Sequence, residues 1–267
     1  MFKIIKTEYY DEFRCLMGEC KDNCCDEDWI ITIDDELYEK YKSLGTGNLE
    51  EKITKDNQSI IKKNGKCPFI LENGLCYWHK EYGEDYLSNT CKSYPRFVSS
   101  YGDLYIQNIG LSCPASATWV VNLDHKCKII DKIYFEDVNE ITENYKKSSV
   151  EKLMMEILKY FYTSDSFFDA IKKTYLLLGD EVNISSDNPL LTKNDLVFCN
   201  ISICFLFEHI MLESKNEYPD YISTINQLCE IIGKIEDKYL LENDSNNEKE
   251  RLMNSIYKTM RKEDHKI

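Results

Sequence analysis

Residues 15–25 read Cys15-Leu16-Met17-Gly18-Glu19-Cys20-Lys21-Asp22-Asn23-Cys24-Cys25. Thiols this close in sequence are poor disulfide partners for one another, but they can converge on one metal centre. A soft, sulfur-rich donor set selects zinc or an iron–sulfur cluster over magnesium or calcium. Cys67, Cys76, Cys91 and Cys113 follow, so eight of the chain's twelve cysteines fall within its first 113 residues. Cys67 and Cys113 each precede a proline, which removes one backbone N–H and suits a ligand loop. Adjacent Cys24 and Cys25 cannot easily both ligate one tetrahedral ion. One of them can bind while its neighbour packs, or each can face a different partner.

Several other chemistries lack their motifs. No pair of C-x-x-C elements is present, and the ferredoxin run is missing. Cys20 and Cys24 have the first spacing of the radical-enzyme pattern C-x3-C-x2-C, but position 27 is Glu27. There is no H-E-x-x-H and no deaminase signature. Gly45-Thr46-Gly47 is followed by Glu50 where a dinucleotide loop needs glycine, and a Walker A loop is absent. His79, near Cys76, could serve as a nitrogen ligand or base, or be an ordinary half-exposed histidine. Arg96 could offset thiolate charge, hold a carboxylate, or form a surface ion pair. Asp26-Glu27-Asp28 could attract a cation or be a solvated acidic loop.

The net charge of −14, from 47 acidic and 33 basic residues, argues against a nucleic-acid partner, because phosphate binding needs a basic face. It permits a basic partner that presents lysines, and solubility alone also accounts for it. Met1-Phe2-Lys3-Ile4-Ile5-Lys6 lacks the apolar core and cleavage site of a secretory leader, so a cytoplasmic protein is expected. In that reducing compartment many cysteines imply metal ligation rather than disulfides. The most apolar stretch, Leu196 to Leu212, contains Asn200, Ser202, Glu208 and His209, which makes it a core helix rather than a membrane span.

The expected fold is mainly α: a loop-rich cysteine region over 1–127 with a few short strands, packed with a helical region over 128–267. Trp29 to Ile33 reads as a strand, and Asp34 or Asp35 caps a helix through Leu37, Tyr38 and Tyr41 towards Gly45. Asn73-Gly74 and Tyr101-Gly102-Asp103 read as turns. In the second region helices start at Ser148 or Ser149, at Asp165 with a stop at Gly179, after Thr192 or Asn194, and at Pro219. A loop over 243–248 precedes a short helix around Met253 to Met260. Cys199, Cys204 and Cys229 lie on apolar faces as packing thiols, and Cys127 has no motif context.

The cysteine motifs resemble a known family. Cys15, Cys20, Cys24 and Cys25, followed by Trp29, Ile33-Asp34 and Tyr41, are similar to the start of the flagellin lysine-N-methylase family. So are Gly65 to Leu71, Asn73 to Cys76, Gly83-Glu84, Thr90-Cys91-Lys92-Ser93-Tyr94-Pro95-Arg96 and Leu111 to Ala115. The same cysteines look like a broader group of zinc- or iron-chelating CxxCxxCC proteins. The family resemblance implies methyl transfer from S-adenosylmethionine to lysine side chains of flagellin. It also implies an iron–sulfur cofactor, of the 4Fe–4S type, with zinc as the alternative metal. The metal-binding positions it carries over are the eight cysteines named above, with Tyr94, Pro95 and Arg96 as motif members of unassigned role. Tyr77, Trp78, Tyr82, Tyr94 and Trp119 could hold a sulfonium or ammonium group by cation–π attraction, or pack in a core. A non-catalytic zinc- or iron-binding module with a structural or interaction role is the competing reading. A metal carrier or redox protein is a third.

Overall fold

The computed structural model describes residues 2–264 apart from residues 21, 28, 46–47, 55, 57, 102–103, 135–148, 180–188, 214–220, 242–244 and 246. The chain packs as two units, Arg14–Tyr94 and Met1–Phe13 with Pro95–Ile267. This division falls elsewhere than the change in composition near residue 128. That position lies inside the second unit, because the strand that follows it pairs with the N-terminal strand.

In the Arg14–Tyr94 unit the helices are short: α1 (Asp35–Ser43), α2 (Tyr77–Tyr82) and α3 (Asn89–Ser93). Asp34 caps α1, its carboxylate accepting from the Leu37 amide at 2.8 Å, and Gly45 beyond the helix has φ +61°. Leu37 and Tyr41, four residues apart, face one core with Ile33, Phe69 and Trp78. Tyr41 and Trp78 stack at 3.7 Å with their rings 2° from parallel. Among the described residues, the expected strand over 29–33 forms a bridge at Thr32, opposite Ser59, and no longer ladder. The Asn73-Gly74 turn is present, with Gly74 at φ +77° and Leu71 and Leu75 joined across it by a 2.8 Å backbone bond.

The other unit joins a four-stranded sheet to a helical layer. Its strands are β1 (Phe2–Thr7), β2 (Arg96–Tyr101), β3 (Leu104–Ile109) and β4 (Ile129–Tyr134), in the order β2-β3-β1-β4. β1 runs parallel to β3 and antiparallel to β4, and β2 and β3 form a hairpin. The turn expected at 101–103 falls on residues 102–103, which lie outside the described residues. Ile5 and Ile106 point into the core while Val98 and Tyr105 are exposed, the period of two that a half-buried sheet requires.

The helices are α4 (Pro114–Asn122), α5 (Ser149–Thr163), α6 (Phe167–Leu178), α7 (Pro189–Lys193), α8 (Asp195–Glu213), α9 (Tyr221–Leu241) and α10 (Glu248–Asp264). Every residue from Val197 to Phe207 is buried, so α8 is covered on all sides, by the sheet and by neighbouring helices. No described helix is long and apolar enough to cross a membrane.

Several expected boundaries move. Ser166, not Asp165, caps α6, accepting from the Asp169 amide at 3.1 Å, and Gly179 ends it in the left-handed region at φ +78°. Of the two expected starts for α8, Asn194 directly precedes it, whereas Thr192 lies within the short helix α7, and α10 is longer than the helix expected around 253–260. The proposed helix start at Pro219 and residues 243, 244 and 246 of the expected loop lie outside the described residues.

Candidate metal centre

Three local devices bring cysteines from distant sequence positions together. The first is the Asn73-Gly74 turn. Gly18 lies so close to it that a Cβ there would sit 2.8 Å from the Asn73 carbonyl oxygen. The Asn23 side chain donates to the Gly74 carbonyl at 3.0 Å and accepts from the Cys25 amide at 2.9 Å. The residue 15–25 loop is therefore fastened to the turn that leads into Cys76. The second is a backbone bond from the Cys67 amide to the Cys25 carbonyl, 2.9 Å. The third is the α3 cap, where the Ser88 hydroxyl accepts from the Cys91 amide at 3.1 Å.

The result is a cluster of five thiols: Cys24, Cys25, Cys67, Cys76 and Cys91. Within it, Cys24, Cys67, Cys76 and Cys91 all act electrostatically on one another, whereas Cys25 is tied first to its neighbour Cys24 by a side-chain hydrogen bond. Burial pushes the Cys91 thiol up to about 11, with Cys67, Cys24 and Cys76 adding to the rise. Burial likewise raises Cys67 and Cys76 above the ordinary thiol range. The Cys25 thiol is raised by its bond to Cys24 and then by burial.

Donors aimed at the sulfurs act in the opposite sense. The Phe69 amide serves Cys67, the His79 and Trp78 amides serve Cys76 at the start of α2, and the Ser88 hydroxyl serves Cys91. Such donors stabilise thiolate, the form that binds metal. Among the described residues, no group of three or more His, Cys, Asp or Glu side chains is arranged so that it could hold a metal ion as it stands. The donor chemistry is that of a soft metal site: four neighbouring thiols, three of them with their own hydrogen-bond donors.

The other expected residues are placed as follows. Cys15 is exposed and accepts from the Met17 amide at 3.3 Å, and half-exposed Cys20 donates to the Asp22 carbonyl at 3.4 Å. Cys113 is buried in the other unit, at the N-terminus of α4 with Pro114 in the first turn. His79 is half-buried on α2, and its amide rather than its ring faces Cys76. Arg96 serves none of the expected roles. Its guanidinium donates to the carbonyls of Tyr10 (3.2 Å) and Phe13 (2.9 Å) and lies over both rings, because it starts β2 beside the turn after β1. Trp78 is sealed in the core, and Trp119 stacks on Tyr9 at 4.6 Å. Trp29 and Tyr94 are both half-buried and meet edge to face at 4.3 Å and 70°. Sequence reasoning missed Asn23 and Ser88. Each carries the signal of a cap residue two or three positions before a cysteine.

The fold and site together define a mainly α, cysteine-rich protein with a small mixed sheet and a cluster of thiols, four of them half-buried and Cys91 at the surface. Flagellar biosynthetic protein FliU of Salmonella muenchen is 31% identical to it over 137 residues, 46% of this chain and 80% of that protein. Lysine-N-methylases of Salmonella typhimurium and Salmonella choleraesuis are each 30% identical over 137 residues, 46% of this chain. The chain belongs to the flagellin lysine-N-methylase family. It spans about a third of the length of the lysine-N-methylases it matches, 34% of each. No family model matches the chain, and no solved structure matches it.

Proposed function

We propose that this protein is a cytoplasmic protein-lysine N-methyltransferase that acts on flagellin, takes its methyl group from S-adenosylmethionine and binds a metal centre through Cys24, Cys67, Cys76 and Cys91. The observation that carries the reading is the 30% identity to proteins named lysine-N-methylase. The metal expected is an iron–sulfur cluster, with zinc as the alternative. When bound, a cluster supplies electrons or a docking point for the cofactor's amino-acid end, and zinc supplies structural closure.

Transfer requires a neutral lysine amine in line with the methyl-bearing sulfonium. The C–S bond breaks as the N–C bond forms, leaving a neutral thioether, and the ammonium proton passes to a base or to solvent. A free lysine titrates at about 10.4, so the site must desolvate the amine. The half-buried, edge-to-face Trp29–Tyr94 pair supplies aromatic rings of the kind that attract a cation, a few residues in sequence from Cys25 and Cys91.

The test is to incubate the full chain with flagellin and methyl-labelled S-adenosylmethionine. Label on flagellin lysines is expected, lost together with bound metal in Cys67→Ala and Cys76→Ala. No label from metal-loaded protein would overturn the methyltransferase reading. A second reading, a non-catalytic metal-binding module, is favoured by the coverage: 80% of FliU but 34% of the methylases. It predicts stoichiometric metal and no binding of S-adenosylmethionine.

A further inference from the structure

Two cysteines outside the cluster meet in the core of the sheet-containing unit. Cys127 lies in the connection between α4 and β4 and is 0% exposed, and Cys204 on α8 is 2% exposed. The two thiols interact with each other and with the Tyr162 phenol, and the Cys127 thiol also donates to the Lys128 carbonyl at 3.9 Å. The backbone at both positions is fixed by buried amides. Asn200, one turn before Cys204 on α8, accepts from the Cys127 amide at 2.7 Å and donates to the His125 carbonyl at 3.0 Å. Asn108 of β3 donates to the Cys204 carbonyl at 3.0 Å. Tyr162 also donates to the Cys127 carbonyl. Both flanks of Cys127 reach solvent, since Lys126 is half-exposed and Lys128 exposed, and the connection leads into β4 at the sheet's edge.

We propose that Cys127 and Cys204 are a redox modification site, forming a reversible disulfide that joins the α4–β4 connection to α8 on exposure to a low-molecular-weight disulfide. The Cys127 thiolate attacks the small disulfide, forming a mixed disulfide and releasing one small thiol. The Cys204 thiolate then attacks the Cys127 sulfur and releases the second. The protein loses two electrons and two protons, and the oxidant gains them as two thiols. Burial makes the step depend on local opening of the 123–128 connection. The site is independent of methyl transfer and of the five-thiol cluster.

The test uses the full-length chain, treated with oxidised glutathione under native conditions, unfolded, alkylated, digested without reductant and mapped by mass spectrometry. A peptide pair linked through Cys127 and Cys204 is expected, absent after dithiothreitol. The urea midpoint should rise on oxidation in the native chain and fail to rise in Cys204→Ala, oxidation of the other thiols being common to both. The peptide map needs only the unaltered chain, so a poorly folding variant does not blunt it. Cys127 and Cys204 both alkylated singly after oxidation, or linked only to other cysteines, would overturn the proposal.

Discussion

Replacing Asn23 with alanine should loosen the thiol cluster without unfolding the chain. The side chain makes two bonds, to the Cys25 amide at 2.9 Å and the Gly74 carbonyl at 3.0 Å. The first is a helix-cap bond, worth about 1 kcal/mol. The second is a side-chain–backbone bond of net value about 0.5–1.5 kcal/mol. Asn23 is half-exposed, so water replaces part of what is lost, and the sum is about 1–2 kcal/mol. That corresponds to roughly a five- to thirty-fold rise in the equilibrium for local opening. Because the chain packs as two units, a global midpoint would blur the effect, and the suitable readout is local. The assay is the native-state alkylation rate of Cys67, whose amide is bonded to the Cys25 carbonyl, followed peptide by peptide under conditions where closing outpaces labelling. Asn23→Asp keeps the acceptor and loses the donor, so it should fall between. A rate within twofold of the native protein in Asn23→Ala would refute the claim that this side chain holds the cysteine loop to the turn.

Asn200→Ala should destabilise the sheet-containing unit by about 2–4 kcal/mol, since it strands the buried Cys127 amide and the His125 carbonyl; urea unfolding followed on that unit checks it. Trp78→Ala removes the ring stacked on Tyr41 and should cost about 3–5 kcal/mol in the Arg14–Tyr94 unit, with Trp78→Phe well below that, read by hydrogen exchange at Tyr41 and Phe69. The His125 ring contacts Asp124 at 2.8 Å and Glu8 at 3.0 Å, and Asp124 and then Glu8 hold its pKa above the ordinary histidine value. A raised folded pKa gives stabilisation that is full below the unfolded value of about 6.5 and disappears as pH rises through the folded one. The difference in melting temperature between the native chain and His125→Gln should therefore be larger at pH 5.5 than at pH 9; the opposite order would contradict the pairing.

The helical half was legible because its signals are local. Apolar residues recur at helical spacing in α5, α6 and α9, and Gly179 marks a stop that its left-handed backbone confirms. Polar Asn200 and Ser202 within the apolar run of α8 pointed to a protein core, where Asn200 uses both ends of its amide and Ser202 bonds the Phe198 carbonyl. The sheet was harder to see. β1 pairs with β3, about a hundred residues later, and no local pattern in Phe2–Thr7 encodes such a partner. The strand expected at 29–33 shows the converse: β-branched residues gave the propensity, but among the described residues the pairing there is a single bridge at Thr32, since propensity without a cross-strand partner does not make a ladder.

Within the site, the motif spacing marked all eight cysteines alike. Separating Cys24, Cys67, Cys76 and Cys91 from Cys15, Cys20 and Cys113 depends on the Asn73-Gly74 turn and the Asn23 strut, which act through tertiary contacts. Arg96 was misread because a guanidinium beside a cysteine motif suggests charge pairing, whereas here it satisfies two loop carbonyls.

The central claim, that the neighbouring thiols of Cys24, Cys67, Cys76 and Cys91 hold a metal centre, is tested most directly by anaerobic purification with iron, sulfide and zinc analysis and an absorption spectrum, before and after S-adenosylmethionine. The account predicts iron and sulfide in stoichiometric amount with a broad visible band that changes on adding the cofactor and is lost in Cys67→Ala. Protein free of iron and zinc, with all four thiols open to alkylation, would contradict it.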